Sequence, residues 1–241
     1  LMEIFIQDIS NKHIICRDAE DVPDISEWSG INVNDYHEVT AIWQQFQRLE
    51  GTIDMKWIPP TVETIFLSGN SLTGTLDLTD LPDGLRKISV NSNRFFGDIC
   101  LTEFPVVFQK AFLSENSLSG TLDLEHLPPR MTMLYLDTNA FTGSVSVMVL
   151  PQLMQVLSIH TNKLSGTVNL TNLPENLKTL LLGKNEFHGS TDFSKLPEFI
   201  QLQVSNTQLE GELFCTDDQH IWADESRVVV IQPNQERCMV S

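Results

Sequence analysis

A proline returns every 23 residues, at Pro59, Pro82, Pro105, Pro128, Pro151, Pro174 and Pro197. A glycine keeps the same interval from Gly51 through Gly74, Gly97, Gly120, Gly143, Gly166 and Gly189, then arrives one residue early at Gly211. Such a period restricts the chain to one kind of architecture. Each unit is a coil too small to bury its own apolar side, so neighbours stack and share a continuous core. The repeat therefore overrides the one or two globular domains that 241 residues would otherwise suggest.

Written from its proline, the unit reads Leu-Pro-x-x-Leu-x-x-Leu-x-Leu-x-x-Asn-x-(Leu/Phe)-x-Gly-x-(Leu/Val)-x-Leu. The stretch from Leu173 through Leu177, Leu180, Leu182, Asn185, Phe187 and Gly189 fits it throughout. Alternation at Leu180 and Leu182 predicts a short strand with one buried face. The unit has no room for a strand, a turn and a full helix, so the return path is expected to be turn-like. Asn70, Asn93, Asn116, Asn139, Asn162 and Asn185 occupy one position in each coil. An inward amide there can bond backbone groups that water cannot reach. Gln47 and Thr207 take that place in the first and last coils, where solenoid ends are expected to be atypical.

This pattern is identified as that of a leucine-rich-repeat solenoid: an α/β-type repeat fold, mostly strand and turn, with a parallel concave sheet and about eight coils. It resembles the plant-type subclass, with Leu-Asp-Leu in place of the Ile-Pro segment. The variant Gly-Thr-Leu-Asp-Leu-Thr-x-Leu-Pro-x-x-Leu is more similar to small repeat proteins of kinetoplastid and related flagellate protists. The entry segment Asp24–Val33 also resembles the region leading into those repeats, and lacks the cysteine that pins a plant-type cap. The resemblance implies a fold and assigns no activity.

Three segments follow: an entry cap over 1–38, the solenoid over 39–211 and a closing cap over 212–241. The entry cap begins with the apolar run Ile4-Phe5-Ile6 and carries an expected strand at His13-Ile14-Ile15-Cys16. Arg227–Ile231 is expected to close the far end as a strand. After each glycine a second alternating run presents Asp54, Asp77, Cys100, Asp123, Ser146, Asn169 and Asp192 outward. Like charges one coil apart repel, so this flank reads as a hydrated surface.

A formal charge of −17 and a pI near 4.5 argue against nucleic-acid binding and against anionic membrane surfaces. No run reaches the length of a membrane span. Four cysteines are too few and scattered for a disulfide framework, leaving Cys215–Cys238 as the one pairing to consider and an intracellular, cytoplasmic location as the expectation. Asn169-Leu170-Thr171 forms a single glycosylation acceptor. The six histidines show no metal-ligand spacing, and no nucleophile elbow, Cys-x-x-Cys pair, phosphate loop or calcium loop occurs. Neither catalytic residues nor a metal or cofactor is expected.

The constant period allows the concave positions to be read in columns. The central one is Trp43, Phe66, Ser89, Phe112, Tyr135, Ser158, Leu181 and Gln203. The column before it includes Lys87 and Lys110; the one after it includes Asp137 and His160. Aromatic residues bury much area at low entropic cost and concentrate at binding hot spots. The candidate partner-binding residues are therefore Trp43, Phe66, Lys87, Lys110, Phe112, Tyr135, Ser158, His160 and Leu181. A protein segment bearing carboxylates fits the lysines beside the aromatic column. The expected function is a non-catalytic binding or scaffold module. The alternatives are a structural subunit of a large assembly and an extracellular receptor or carbohydrate-binding surface protein.

Overall fold

A computed structural model describes residues 1–17 and 23–232. The coils from Pro59 to Pro174 begin at a proline whose carbonyl accepts the amide of the residue three further on, as in Val62 to Pro59, Leu85 to Pro82, Met131 to Pro128 and Leu177 to Pro174, all within 2.9–3.0 Å; the carbonyl of Pro197 accepts Gln219 Nε2 at 3.0 Å. The turn delivers the chain into a three-residue strand. In Thr64–Phe66, Met133–Tyr135 and Thr179–Leu181 the central residue is buried and the outer two are half-buried, as one face of a pleat demands.

These strands stack into a ten-stranded sheet. Its order is Ile31–Val33, Val39–Trp43, Thr64–Phe66, Lys87–Ser89, Lys110–Phe112, Met133–Tyr135, Val156–Ser158, Thr179–Leu181, Gln201–Gln203 and His220–Trp222. Ile31–Val33 pairs antiparallel and the rest are parallel. The solenoid thus makes about nine turns, the last strand coming from the closing segment. A second set of strands lies along the flank, Glu50–Thr52 through Ser117–Ser119 and Thr142–Gly143 through Arg227–Ile231. The expected closing strand Arg227–Ile231 pairs with Gln208–Phe214. Leu72, Phe95, Leu118, Phe141, Leu164 and Phe187 are buried between the two walls.

The asparagines lock coil to coil. Asn139 donates to Leu113 O and Leu136 O at 3.1 Å, and its Oδ1 accepts Leu118 N at 3.0 Å. Asn93, Asn116, Asn162 and Asn185 repeat this pattern. Thr207 is too short for the full set; its hydroxyl reaches Val204 O at 2.7 Å, within its own coil. The glycine column answers to crowding. Gly120 has φ +82°, and a Cβ there would lie 2.8 Å from the Asp98 carboxyl of the previous coil.

One element departs from the sequence reading. His13–Cys16 is a helical turn, not a strand, closed by Cys16 N to Lys12 O and Arg17 N to His13 O. Ile15 and Cys16 are both buried, and a strand would turn such neighbours to opposite faces. The apolar run beside it forms a second short helix, Met2–Phe5. This cap docks on the first coil through Asn11, which donates to Arg48 O and accepts Glu50 N. Among the described residues no helix is long and apolar enough to cross a membrane.

Candidate binding face

Strand register places the central column without interpolation. Trp43 pairs with Phe66, Phe66 with Ser89, Ser89 with Phe112, Phe112 with Tyr135, Tyr135 with Ser158, Ser158 with Leu181 and Leu181 with Gln203. Each lies beside a buried central residue, so the column faces away from the core. Gln203 is followed by Trp222, which is 45% exposed. That residue was missed because the closing segment carries none of the repeat's proline, asparagine or glycine marks from which a register could be counted.

The aromatic residues form two separate stacks. Trp43 and Phe66 lie 4.6 Å apart between centroids at 26°; Phe112 and Tyr135 lie 5.3 Å apart at 18°. Ser89 falls between the stacks, and its hydroxyl bonds Ser68 Oγ and Asn91 Oδ1. Ser89 and Ser158 belong to the column yet are buried, because their short side chains sit below larger neighbours. Lys87 and Lys110 are adjacent in register and half-buried, and among the described residues neither makes an ion pair.

Phe112, Tyr135, Ser158, His160 and Leu181 converge on a pocket of about 360 Å³. Its polar floor is Asp137, whose side chain is only 15% exposed. Asp137 Oδ1 accepts the Ser114 hydroxyl at 2.7 Å and the Ser158 hydroxyl at 2.9 Å, while His160 Nε2 lies 3.6 Å from Oδ2. His160 Nδ1 meets Thr161 Oγ1 at 2.8 Å. Burial, and secondarily the Asp137 charge, raises the Tyr135 phenol above its ordinary value. Asp137 was legible as the one carboxylate among Gln45, Ser68, Asn91, Ser114, His160, Gly183 and Ser205 in its column, though not as a group held by three side chains.

Serine, histidine and aspartate meet here in an order that does not make a nucleophile. The carboxylate sits between serine and histidine, so the Ser158 hydroxyl donates its hydrogen bond to Asp137 and has no histidine base beside it. What the arrangement offers is a rigid hydrogen-bonding floor beside a stacked aromatic wall. Trp43 and Phe66 form a platform outside this pocket, and Lys87 and Lys110 lie in the neighbouring column.

The flank column has a structural use. Asp54, Asp77, Asp123, Asn169 and Asp192 each accept the backbone amide two residues on, from Lys56, Thr79, Glu125, Thr171 and Ser194. They hold the turn that leaves the flank strand. Asn169, the glycosylation acceptor, is exposed and also accepts the Thr171 hydroxyl at 2.7 Å. Cys16, Cys100 and Cys215 form no disulfide with one another; Cys238, and with it the Cys215–Cys238 pairing, lies outside the described residues.

No family model matches the sequence, and no curated protein matches it. Solved structures do match. The leucine-rich-repeat ectodomain of the Arabidopsis thaliana receptor kinase GASSHO1/SCHENGEN3, in complex with Casparian strip integrity factor 2, superposes with a TM-score of 0.60 at 20% identity. That match covers 84% of this chain and 30% of the receptor chain. The chain is a leucine-rich-repeat solenoid. A plant ice-binding protein superposes with a TM-score of 0.61 at 17% identity, over 100% of this chain and 97% of the other. A pollen receptor kinase 3 gives 0.56 at 24% identity, over 70% and 85%. These likenesses concern the solenoid.

Proposed function

We propose that this solenoid is a non-catalytic recognition module that grips a protein segment along its concave sheet. The supporting observation is the paired stacking of Trp43–Phe66 and Phe112–Tyr135 in one outward column, the second pair opening onto the Asp137 pocket. Pre-stacked rings lose little entropy on binding and supply large apolar area, which is the profile of a hot spot. An extended segment lying across the strands would seat an apolar side chain against Phe112 and Tyr135, hydrogen-bond near Ser158 and His160, and pack on Leu181. Its carboxylates would meet Lys87 and Lys110. The Arabidopsis ectodomain with a similar solenoid was crystallised with a bound partner, which supports the reading by analogy of fold. We further propose, on the scattered cysteines, an intracellular location and, on the Gly-Thr-Leu-Asp-Leu-Thr variant, a likeness of the repeats to those of flagellate protists.

The test replaces Phe66, Phe112 and Tyr135 together with serine. None of the three is in the core, so the circular dichroism spectrum should be unchanged. Partner recovery in affinity purification from the native source should fall below detection, since hot-spot aromatics each contribute roughly 2 kcal/mol. Undiminished recovery with the fold intact overturns the concave face as the binding surface. Neutralising Lys87 and Lys110 as methionine should slow association and flatten its salt dependence if the partner segment is acidic.

A further inference from the structure

The three outward columns of the concave sheet are nearly free of charge. In a chain of net charge −17 they carry only Lys87, Lys110 and Asp137, apart from the titratable His160. The two signs stand on opposite margins. Lys87 and Lys110 occupy the column before the aromatic row and make no ion pair among the described residues. Asp137 stands in the column after it. Glu115 N donates to Asp137 O at 3.0 Å, so the ladder still runs there and the side chain shares the outward face of Tyr135. The Phe112–Tyr135 stack lies between the two margins.

Asp137 is a sheltered carboxylate with one oxygen unused. Oδ1 takes the Ser114 and Ser158 hydroxyls, which fix the orientation of the group. Oδ2 accepts no hydrogen bond among the described residues, His160 Nε2 standing 3.6 Å away, and it is not sealed from solvent. Hydrogen bonds to an ionised acceptor are the strong ones, so this oxygen at the floor of a cavity calls for a cationic donor. The walls fit one. Phe112 and Tyr135 offer ring faces, and Glu115, held by the Ser92 hydroxyl at 2.6 Å, adds a second carboxylate at the rim.

We infer that the partner segment carries an arginine in the Asp137 pocket and, four residues away, a carboxylate at Lys87 and Lys110, with an apolar residue between them on the rings. This rests on the concave face being the binding surface and specifies what that face binds. Asp137 lies four residues along the strand direction from the row of Lys110 and one to two coils beyond, which puts the charges about 14–16 Å apart. Four residues of extended chain cover about 13 Å, and the long basic side chains make up the rest. Alternation turns residues i, i+2 and i+4 to the same side, so the middle one falls on Phe112 and Tyr135. The arginine stem packs along the rings while its planar fork reaches Oδ2. A segment laid the other way would set arginine against lysine, so the face selects direction as well as composition.

The experiment titrates the isotope-labelled whole chain by NMR with the blocked peptide Glu-Thr-Val-Thr-Arg and its reverse, Arg-Thr-Val-Thr-Glu. The tighter of the two gives the direction of the segment, and its analogues give the chemistry. Replacing arginine by citrulline, which keeps the shape and removes the charge, should weaken binding about tenfold, the loss expected for one hydrogen bond to a charged group. Asp137→Asn, which retains an oxygen for both hydroxyls, should melt with the parent and bind the arginine and citrulline peptides equally. Lys87→Met with Lys110→Met should likewise erase the preference for glutamate over glutamine. No binding of either peptide at millimolar concentration, equal affinity for arginine and citrulline in the parent, or an unchanged preference in Asp137→Asn overturns the inference. Capture from the native source separates its failure from that of the concave reading. Loss of the partner in the Phe66, Phe112 and Tyr135 serine variant but not in Asp137→Asn overturns the arginine alone, and loss in neither overturns both.

Discussion

Asn139 shows how much of this fold hangs on single side chains. Replacing it with leucine strands Leu118 N and two carbonyls that water cannot reach, so it should cost about 3 kcal/mol or more in urea unfolding. Asn176 makes one bond, to Gln152 O, from an exposed position, and its alanine variant should cost under about 1 kcal/mol. An equal cost at both sites would refute the account of the ladder. The aspartates of the flank column act through charge as well as geometry. Asp77 and Asp123 are held below the ordinary 3.8, first by the Thr79 hydroxyl and the His126 ring respectively. A depressed carboxyl stabilises fully above its unfolded value, and that stabilisation is lost as pH falls through the lower folded value. Asparagine accepts the same turn amide without titrating. Asp77→Asn with Asp123→Asn should therefore flatten the acid-side decline in melting temperature below pH 3.8, while changing the neutral-pH value by no more than about 2 °C.

At the scale of the coil, the glycine column and the residue before each asparagine mark where the backbone is forced. Gly120→Ala meets the Asp98 carboxyl at φ +82° and should cost at least about 1 kcal/mol. At Gly84 a Cβ would meet nothing within 4 Å, so Gly84→Ala should be neutral or stabilise by about 0.4–1 kcal/mol. A thermal melt lowered by Gly120→Ala and not by Gly84→Ala confirms that the column is forced; equal losses at both refute it. The sequence exposed the glycines because they recur. It hid a second forced position, since Ser92, Glu115, Thr138, Thr161 and Lys184 all adopt φ of 53–56° with side chains that do not announce it. Periodicity reports what every coil needs, and it reports nothing where residues vary at a constant backbone angle. For the same reason Phe66, Phe112 and Tyr135 could be placed in one column by counting, whereas Trp222 could not. The turn at His13–Cys16 lies before the first repeat, where only short-range pattern was available and Ile14–Ile15 suggested a strand.

Across the whole molecule, stability in a solenoid is a sum of coils and the interfaces between neighbours, so the chain should tolerate loss of one complete period. Removing residues 113–135 joins Phe112 directly to Leu136 and leaves every column in register. The shortened chain should unfold cooperatively, with a urea m-value reduced by about a tenth, because m follows the surface exposed. Removing one residue fewer would put a core leucine on the wrong face of its strand and should abolish cooperative unfolding. The in-register deletion also separates fold from recognition. It removes Ser114 and Tyr135, and with them the Phe112–Tyr135 stack and one of the two hydroxyls on Asp137, yet preserves the Trp43–Phe66 stack. If the partner is gripped at the Asp137 pocket, binding should be lost from a protein that still melts as a single unit. Retained binding would move the anchor to Trp43 and Phe66, at the amino-terminal end of the sheet.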